Sequence, residues 1–210
     1  MAYRETISRA ADGNGKFVRQ TGGRGQYGHV VLRVEPRESG HGLTIENKIV
    51  GGAIPREYYK AVEGGIRETA EGGVRTSYPL VDFHDILDGS SHAVDSSELA
   101  FKIAASLAVK HAVSQAGLRL LEPIMHLELS TPEANLGDVI GDLNGRRGRI
   151  VEVVSEPGMA RLVAFVPLAE LFGYATIVRS LTKGRAVFSA EPSSFETAPR
   201  KIEEDILAKL

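Results

Sequence analysis

Cysteine is absent from the 210 residues. That excludes disulfides and thiolate-held metals, and it fits a reducing compartment. No apolar run is long enough to span a bilayer. The N-terminal residues, Met-Ala-Tyr-Arg-Glu-Thr, lack the apolar centre of a signal peptide. A cytoplasmic protein with no membrane partner is the expectation. A positive charge excess is missing too. The formal net charge of −2 argues against a general binder of duplex nucleic acid, but not against a protein that touches RNA at one small, shaped place. Nucleotide-binding glycine motifs are also lacking. The glycine-rich stretch 21–28 is followed by no Gly-Lys-Ser/Thr, so there is no P-loop, and it gives no Gly-x-Gly-x-x-Gly ahead of a helix.

What is present is an ordinary globular composition, 42% hydrophobic and 25% charged. The length suits one large domain or two small ones. In the first half, residues 3–9 and 16–21 read as strands around a turn at Asp12-Gly13-Asn14-Gly15. Residues 29–35 and 43–50 read as further strands. Pro55 opens a helix whose apolar face holds Tyr58, Tyr59, Val62, Ile66 and Ala70. Gly64 and Gly65 weaken that helix unless close packing on a sheet requires them. A strand over 78–87 leads to a turn at Asp88-Gly89. Asp95 and Glu98 stand at capping-box spacing ahead of a helix over 98–115, which Gly117 stops.

Residues 120–123 read as a hinge. Beyond them come a strand over 124–129, a helix-start signal at Ser130 and Glu133, and a helix ending near Asn144-Gly145. Strands over 149–155 and 161–166 flank a turn at Glu156-Pro157-Gly158. A helix opened by Pro167 carries Leu168, Leu171, Phe172, Ile177 and Leu181, and a last strand covers 185–191. The order β-α-β-β-α-β is ferredoxin-like. The fold class is therefore α+β in two domains, 1–119 and 120–197, with a tail over 198–210 whose Ile202, Ile206, Leu207 and Leu210 stand at helical spacing.

Four constellations bear on chemistry. Ser91, His92 and Asp95 contain the letters of a hydrolase triad, but they crowd one loop and no nucleophile elbow supports them. His84, Asp85, Asp88 and His92 match no strong metal spacing, and a solvated acidic loop is the preferred reading. No catalytic or metal-binding residue is assigned. Arg24, Gln26 and Tyr27 among glycines offer a charge, an amide and a ring to RNA, with a flexible hairpin connection as the alternative. Arg146, Arg147 and Arg149 form a basic turn suited to a phosphate or simply to solvent.

Longer motifs carry a resemblance. Gly22-Gly-Arg-Gly-Gln-Tyr-Gly-His29, Gly51-Gly-Ala-Ile-Pro55 and His92-Ala-Val-Asp-Ser-Ser-Glu-Leu-Ala-Phe101 resemble the fourth domain of bacterial elongation factor G. Leu121-Glu-Pro-Ile124, Gly137-Asp-Val-Ile-Gly-Asp-Leu143, Arg146-Arg-Gly148 and Phe172-Gly-Tyr-Ala-Thr176 through Leu181-Thr-Lys-Gly-Arg185 resemble its fifth. The match runs in order over almost the whole chain.

The resemblance implies the C-terminal portion of a translational GTPase. This portion would itself be no enzyme and hold no cofactor, with GTP and magnesium bound by a missing N-terminal domain. Tyr3 falls where the family's fourth domain begins, so Met1 is expected to open a shortened chain. The fold implied is an elongated split β-α-β domain followed by a ferredoxin-like one. The tip of the first enters the decoding region of the small ribosomal subunit and contacts the tRNA–mRNA duplex during translocation. By motif, that tip comprises Gly23, Arg24, Gly25, Gln26, Tyr27, Ser90, Ser91, His92 and Asp95. The second domain lies by the stalk base of the large subunit, where Arg146, Arg147 and Arg149 would meet ribosomal RNA. A monomer is expected. Ser91 and Ala93 replace the family's aromatic and Asp beside the tip His, residues 81–92 run one residue short, and the tail diverges. A recycling or rescue paralogue is therefore the alternative.

Overall fold

The computed structural model describes residues 3–20, 25–49, 53–90 and 96–209, with residues 86 and 88–90 described by their backbone alone. The chain divides into two compact units. One comprises Tyr3–Leu121 with Thr197–Leu210, the other Glu122–Glu196. The architecture is α+β with two sheets. Among the described residues, no helix is long and apolar enough to cross a membrane.

The sheet of the first unit contains β2 (Ala11–Arg19), β3 (Gln26–Pro36), β4 (Leu43–Asn47) and β5 (Phe83–Ser90) in the order β2-β3-β5-β4. All neighbours are antiparallel except β4 and β5. A parallel neighbour pair needs a crossover, and α1 (Tyr59–Gly72) supplies it after one turn of 3-10 helix over Arg56–Tyr58. α2 (Glu98–Gln115) follows β5. Alternation places Val30, Leu32 and Val34 of β3, with Phe83 and Leu87 of β5, in the core against Phe101, Val109 and Val113 of α2. β1 (Arg4–Ile7) pairs with the first residues of β6 (Leu118–Pro132). Its buried Glu5 accepts hydrogen bonds from the amides of Val74 at 2.7 Å and Arg75 at 3.0 Å.

Asp12-Gly13-Asn14-Gly15 is not a turn. It lies inside β2, with Asp12 opposite Arg33 and Gly15 opposite Val30. The glycines are there because α2 lies directly on the strand. A Cβ on Gly13 or Gly15 would overlap the carbonyl oxygen of Ala108 or Ala104, and one on Gly28 would overlap that of Ala100. The helix meets them with Ala100, Ala104, Ala108 and Ala112, one every four residues and all fully buried. Local turn chemistry and tertiary close approach use the same residue, and here close approach explains it. Gly65 follows the same rule: its Cβ would strike the Lys102 carbonyl of α2 rather than a sheet, whereas Gly64 faces open space.

Asp88-Gly89 is likewise strand rather than turn, since Val31 pairs with Asp88 and Val30 with Gly89. The α2 cap is Ser97, whose Oγ accepts from the Ala100 amide at 3.2 Å, so the Asp95–Glu98 box is displaced. The helix itself spans the residues expected, and Gly117 follows it at φ +68°.

The boundary between the units falls between Leu121 and Glu122, inside the expected hinge 120–123, and the chain there is strand, since β6 continues past Leu121. β7 (Arg149–Glu156), β8 (Met159–Pro167) and β9 (Val187–Thr197) join it in the order β9-β6-β8-β7, with α3 (Leu136–Gly145) and α4 (Tyr174–Leu181) as the connecting helices. This is the ferredoxin-like arrangement. Leu127, Leu129, Leu162, Ala164 and Val166 pack under Val139, Leu143, Tyr174 and Val178.

The Ser130–Glu133 box does not form. Ser130 is strand, and the Glu133 amide bonds the Gly158 carbonyl. The helix expected from Pro167 is broken into a 3-10 turn over Leu168–Leu171 and α4, with Gly173 at φ +74° and Phe172 exposed between them. α5 (Arg200–Leu207) forms the tail and packs with the first unit, where Glu203 Oε1 accepts from the Leu120 amide at 2.9 Å and from Arg119 Nε at 2.8 Å.

Candidate nucleic-acid interface

At one end of the first unit, four element ends converge. β2 finishes at Arg19, β3 begins at Gln26, β5 finishes at Ser90, and α2 begins at Glu98. Register brings them side by side: Arg19 opposite Gln26, Val18 opposite Tyr27, His29 opposite Ser90, and Tyr27 bridged to Ser96. The flanks of both expected tip stretches thus stand together. Gly23, Arg24, Ser91, His92 and Asp95 lie outside the described residues. Gly25, Gln26 and Tyr27 are half-buried at the entrance to β3, and Ser90 is placed by its backbone.

The sheet face away from α2 carries the chemistry of this end. Asn14, Lys16 and Val18 alternate along β2, with Tyr27 and His29 beside them on β3. Lys16 Nζ lies 5.6 Å from the Tyr27 ring centroid, a cation–π distance. His29 Nε2 and Asn14 Oδ1 are 3.1 Å apart. Partial burial first, and the nearby Lys16 charge second, hold the His29 pKa below its ordinary value. His29 is therefore a neutral hydrogen-bonding group near neutral pH. On the other side, Tyr58 donates through its hydroxyl to the Ser96 carbonyl at 3.2 Å and stacks on Phe101 at 4.9 Å. That pins the entrance to α2. The arrangement offers a cation, an aromatic ring and amide groups on one platform, an inventory suited to splayed or single-stranded RNA.

Lys16, Asn14 and His29 were not singled out from sequence. The signal for them was their alternation along β2 and β3, hidden once residues 12–15 were read as a turn.

His84 and Asp85 point to opposite faces of β5. His84 Nε2 is 3.4 Å from Glu46, whereas Asp85 is fully buried. Among the described residues, no three of His, Cys, Asp and Glu come together as a metal would need.

The basic turn of the second unit is internally engaged. Arg146 donates from Nε to Asp142 at 2.7 Å and from Nη1 to the Glu170 carbonyl at 2.6 Å, with its guanidinium 5.2 Å from the Tyr174 ring. Arg147, at φ +59°, grips the buried Glu122 through both terminal nitrogens at 2.7 and 3.0 Å, and Glu170 through Nε at 3.0 Å. The hydrogen bond to Glu122 raises its pKa further. Arg149 is 62% exposed, loosely paired with Glu196 at 3.3 Å and lying over Phe165. Of the three arginines it is the one most open to an outside phosphate.

Two family models match the chain in succession: elongation factor G, domain IV, over residues 1–117, and elongation factor G C-terminus over residues 119–206. A crystal structure of a Thermus thermophilus protein is similar at 43% identity with a TM-score of 0.88. The likeness covers 99% of this chain and 31% of that one, so the chain spans about a third of the length of its relative.

Proposed function

Since the chain belongs to the elongation factor G family, we propose that it is the C-terminal, ribosome-binding portion of a translational GTPase, and that it promotes tRNA–mRNA translocation. GTP and magnesium would be bound by a segment outside this sequence. The reading rests on two consecutive family domains matched in order over residues 1–117 and 119–206. Its mechanism is steric and electrostatic. The convergence of Gln26, Tyr27, Ser90 and Ser96 forms the base on which Arg24 and His92 are carried. Those two side chains meet the tRNA–mRNA duplex in the decoding region and oppose its return. The Ser97 cap, the Tyr58 clamp and the α2 seam keep that base rigid, so force applied to the tip is transmitted rather than absorbed. The second domain sits at the stalk base of the large subunit, with Arg149, the most exposed of the three arginines in the basic turn, toward ribosomal RNA.

The test uses a full-length factor carrying this segment. His92→Ala and Arg24→Ala should each slow single-turnover translocation by about ten-fold, a loss of roughly 1.4 kcal/mol of transition-state stabilisation, with GTP hydrolysis unchanged. Unaltered translocation would remove the role given to the tip. Loss of subunit splitting instead would select the recycling paralogue.

A further inference from the structure

β4 closes one side of the first unit's sheet. It has five residues, none of them fully buried, and among the described residues it pairs only with β5. Its two ends are attached differently. At the start, Asp82 Oδ1 accepts from the Gly42 amide at 2.8 Å, and the Asp82 carbonyl accepts from the Arg37 amide at 2.8 Å. The Arg37 guanidinium in turn donates to the Thr44 hydroxyl. At the finish, the Lys48 amide reaches the Leu87 carbonyl only at 3.3 Å, a long bond for such a pair. The Gly42 end is thus pinned and the Asn47 end is loosely held.

Ile45, midway along β4, lies beside Asp85 of β5, and Val34 of β3 lies on the other side. The Asp85 carboxyl is fully buried, and neither oxygen has a hydrogen-bond partner among the described residues. Charged groups on the neighbouring strands face away from it. Arg33 and Glu35 of β3, Glu46 of β4 and His84 of β5 all occupy the opposite face of the sheet. α1 and α2 meet this core through Val62, Ile66, Phe101, Val109 and Val113. Two titratable side chains pack against it: Tyr58, whose hydroxyl bonds the Ser96 carbonyl, and Tyr59. Burial alone acts on the Asp85 carboxyl, and it raises the pKa. A carboxyl in such a place is tolerated while neutral, but as a carboxylate it needs water. A way out lies past Ile45, because the sheet has no further strand beyond β4 among the described residues.

We propose that β4 is a hinged flap over Asp85. It stays paired to β5 while the carboxyl is protonated. Once the proton leaves for solvent, it swings out about Gly42 and water reaches the carboxylate. The chain remains folded on both sides of this step. Opening leaves β5 without its β4 neighbour over Phe83–Leu87, just short of Ser90, where the element ends converge.

Solvent exchange of backbone amides, read by NMR on the intact chain from pH 5 to pH 8 and divided by the intrinsic rate at each pH, follows the flap directly. Protection in the β4–β5 ladder should fall about ten-fold per unit between pH 5 and pH 7. At pH 8 that ladder should exchange as an unpaired segment does, while the β2–β3 ladder is still protected. Asp85→Asn cannot ionise, and in that variant the β4–β5 ladder should remain protected at pH 8. The carboxyl carbon of Asp85 in the parent, followed by its carbon-13 shift, should titrate at about 7. A β4–β5 ladder that stays protected at pH 8 in the parent overturns the inference. So does a ladder that opens equally in Asp85→Asn, or an Asp85 carboxyl that titrates at roughly 3.9, the value of an ordinary exposed group.

Discussion

Replacing Asp85 with asparagine removes one titration and changes almost no volume. In β5 the inward positions are Phe83, Asp85 and Leu87, and Asp85 stands between Val34 of β3 and Ile45 of β4. Its carboxyl is fully buried, with no hydrogen-bond partner for either oxygen among the described residues. Burial pushes its pKa up to about 7, against roughly 3.9 in an unfolded chain. Between those values the folded protein keeps a proton that the unfolded chain has released. Stability is therefore fully present below about pH 4 and is lost as pH rises to about 7. At about 1.4 kcal/mol per unit, the loss approaches roughly 4 kcal/mol, a large share of a domain's net stability. An asparagine side chain does not titrate and resembles the protonated acid in shape. Asp85→Asn should therefore match the parent near pH 4 and exceed it by about 4 kcal/mol at pH 8. Urea unfolding followed by circular dichroism at half-unit steps of pH measures that difference, in which distant titrations cancel. A difference that stays flat from pH 4 to pH 8 would refute the reasoning. It would mean that the folded carboxylate is hydrated or partnered.

Two further outcomes follow from packing. Gly15→Ala drives a methyl into the Ala104 carbonyl of α2 and should cost about 1–3 kcal/mol, whereas Gly64→Ala, facing open space on the helix before it, should gain up to about 1 kcal/mol; melting temperatures moving in opposite directions check the pair. Arg147→Ala strands the buried Glu122 carboxylate and frees Glu170, for a loss of roughly 2–3 kcal/mol that Glu122→Gln in the same chain should partly recover, measured by chemical denaturation.

Periodic segments were legible from sequence and shared signals were not. The ends of α2, the β7-turn-β8 hairpin and the ferredoxin-like order could be read because hydrophobic period and turn residues agreed. Asp12–Gly15 and Asp88-Gly89 misled because glycine serves turns and close approach alike, and only the position of α2 separates the two uses. Ser97 was overlooked as a cap because Asp95 and Glu98 also have the right spacing, and only backbone placement chooses between them. In the second unit, Arg146 and Arg147 looked like free cations. Asp142, four residues before Arg146, is a local cue of i,i+4 spacing that went unused, whereas Glu122 and Glu170 are remote in sequence and gave none. The motif resemblance named a candidate tip, yet it did not reach Lys16 or Asn14 and gave His29, the last residue of its first motif, no role, although all three share the face that Tyr27 occupies.

The seam of α2 on β2 and β3 has a mechanical consequence. Four helix residues advance about 6 Å, and two strand residues advance about 6.8 Å. Ala100, Ala104 and Ala108 therefore meet Gly28, Gly15 and Gly13 like teeth on two rulers of almost equal pitch. Such a rack can be lengthened only in matched steps, a full helical turn against a strand dipeptide. One residue added to either side alone would set side chains against backbone along the whole track. The reach of this end of the unit is thus quantised, and it can change in whole notches or not at all.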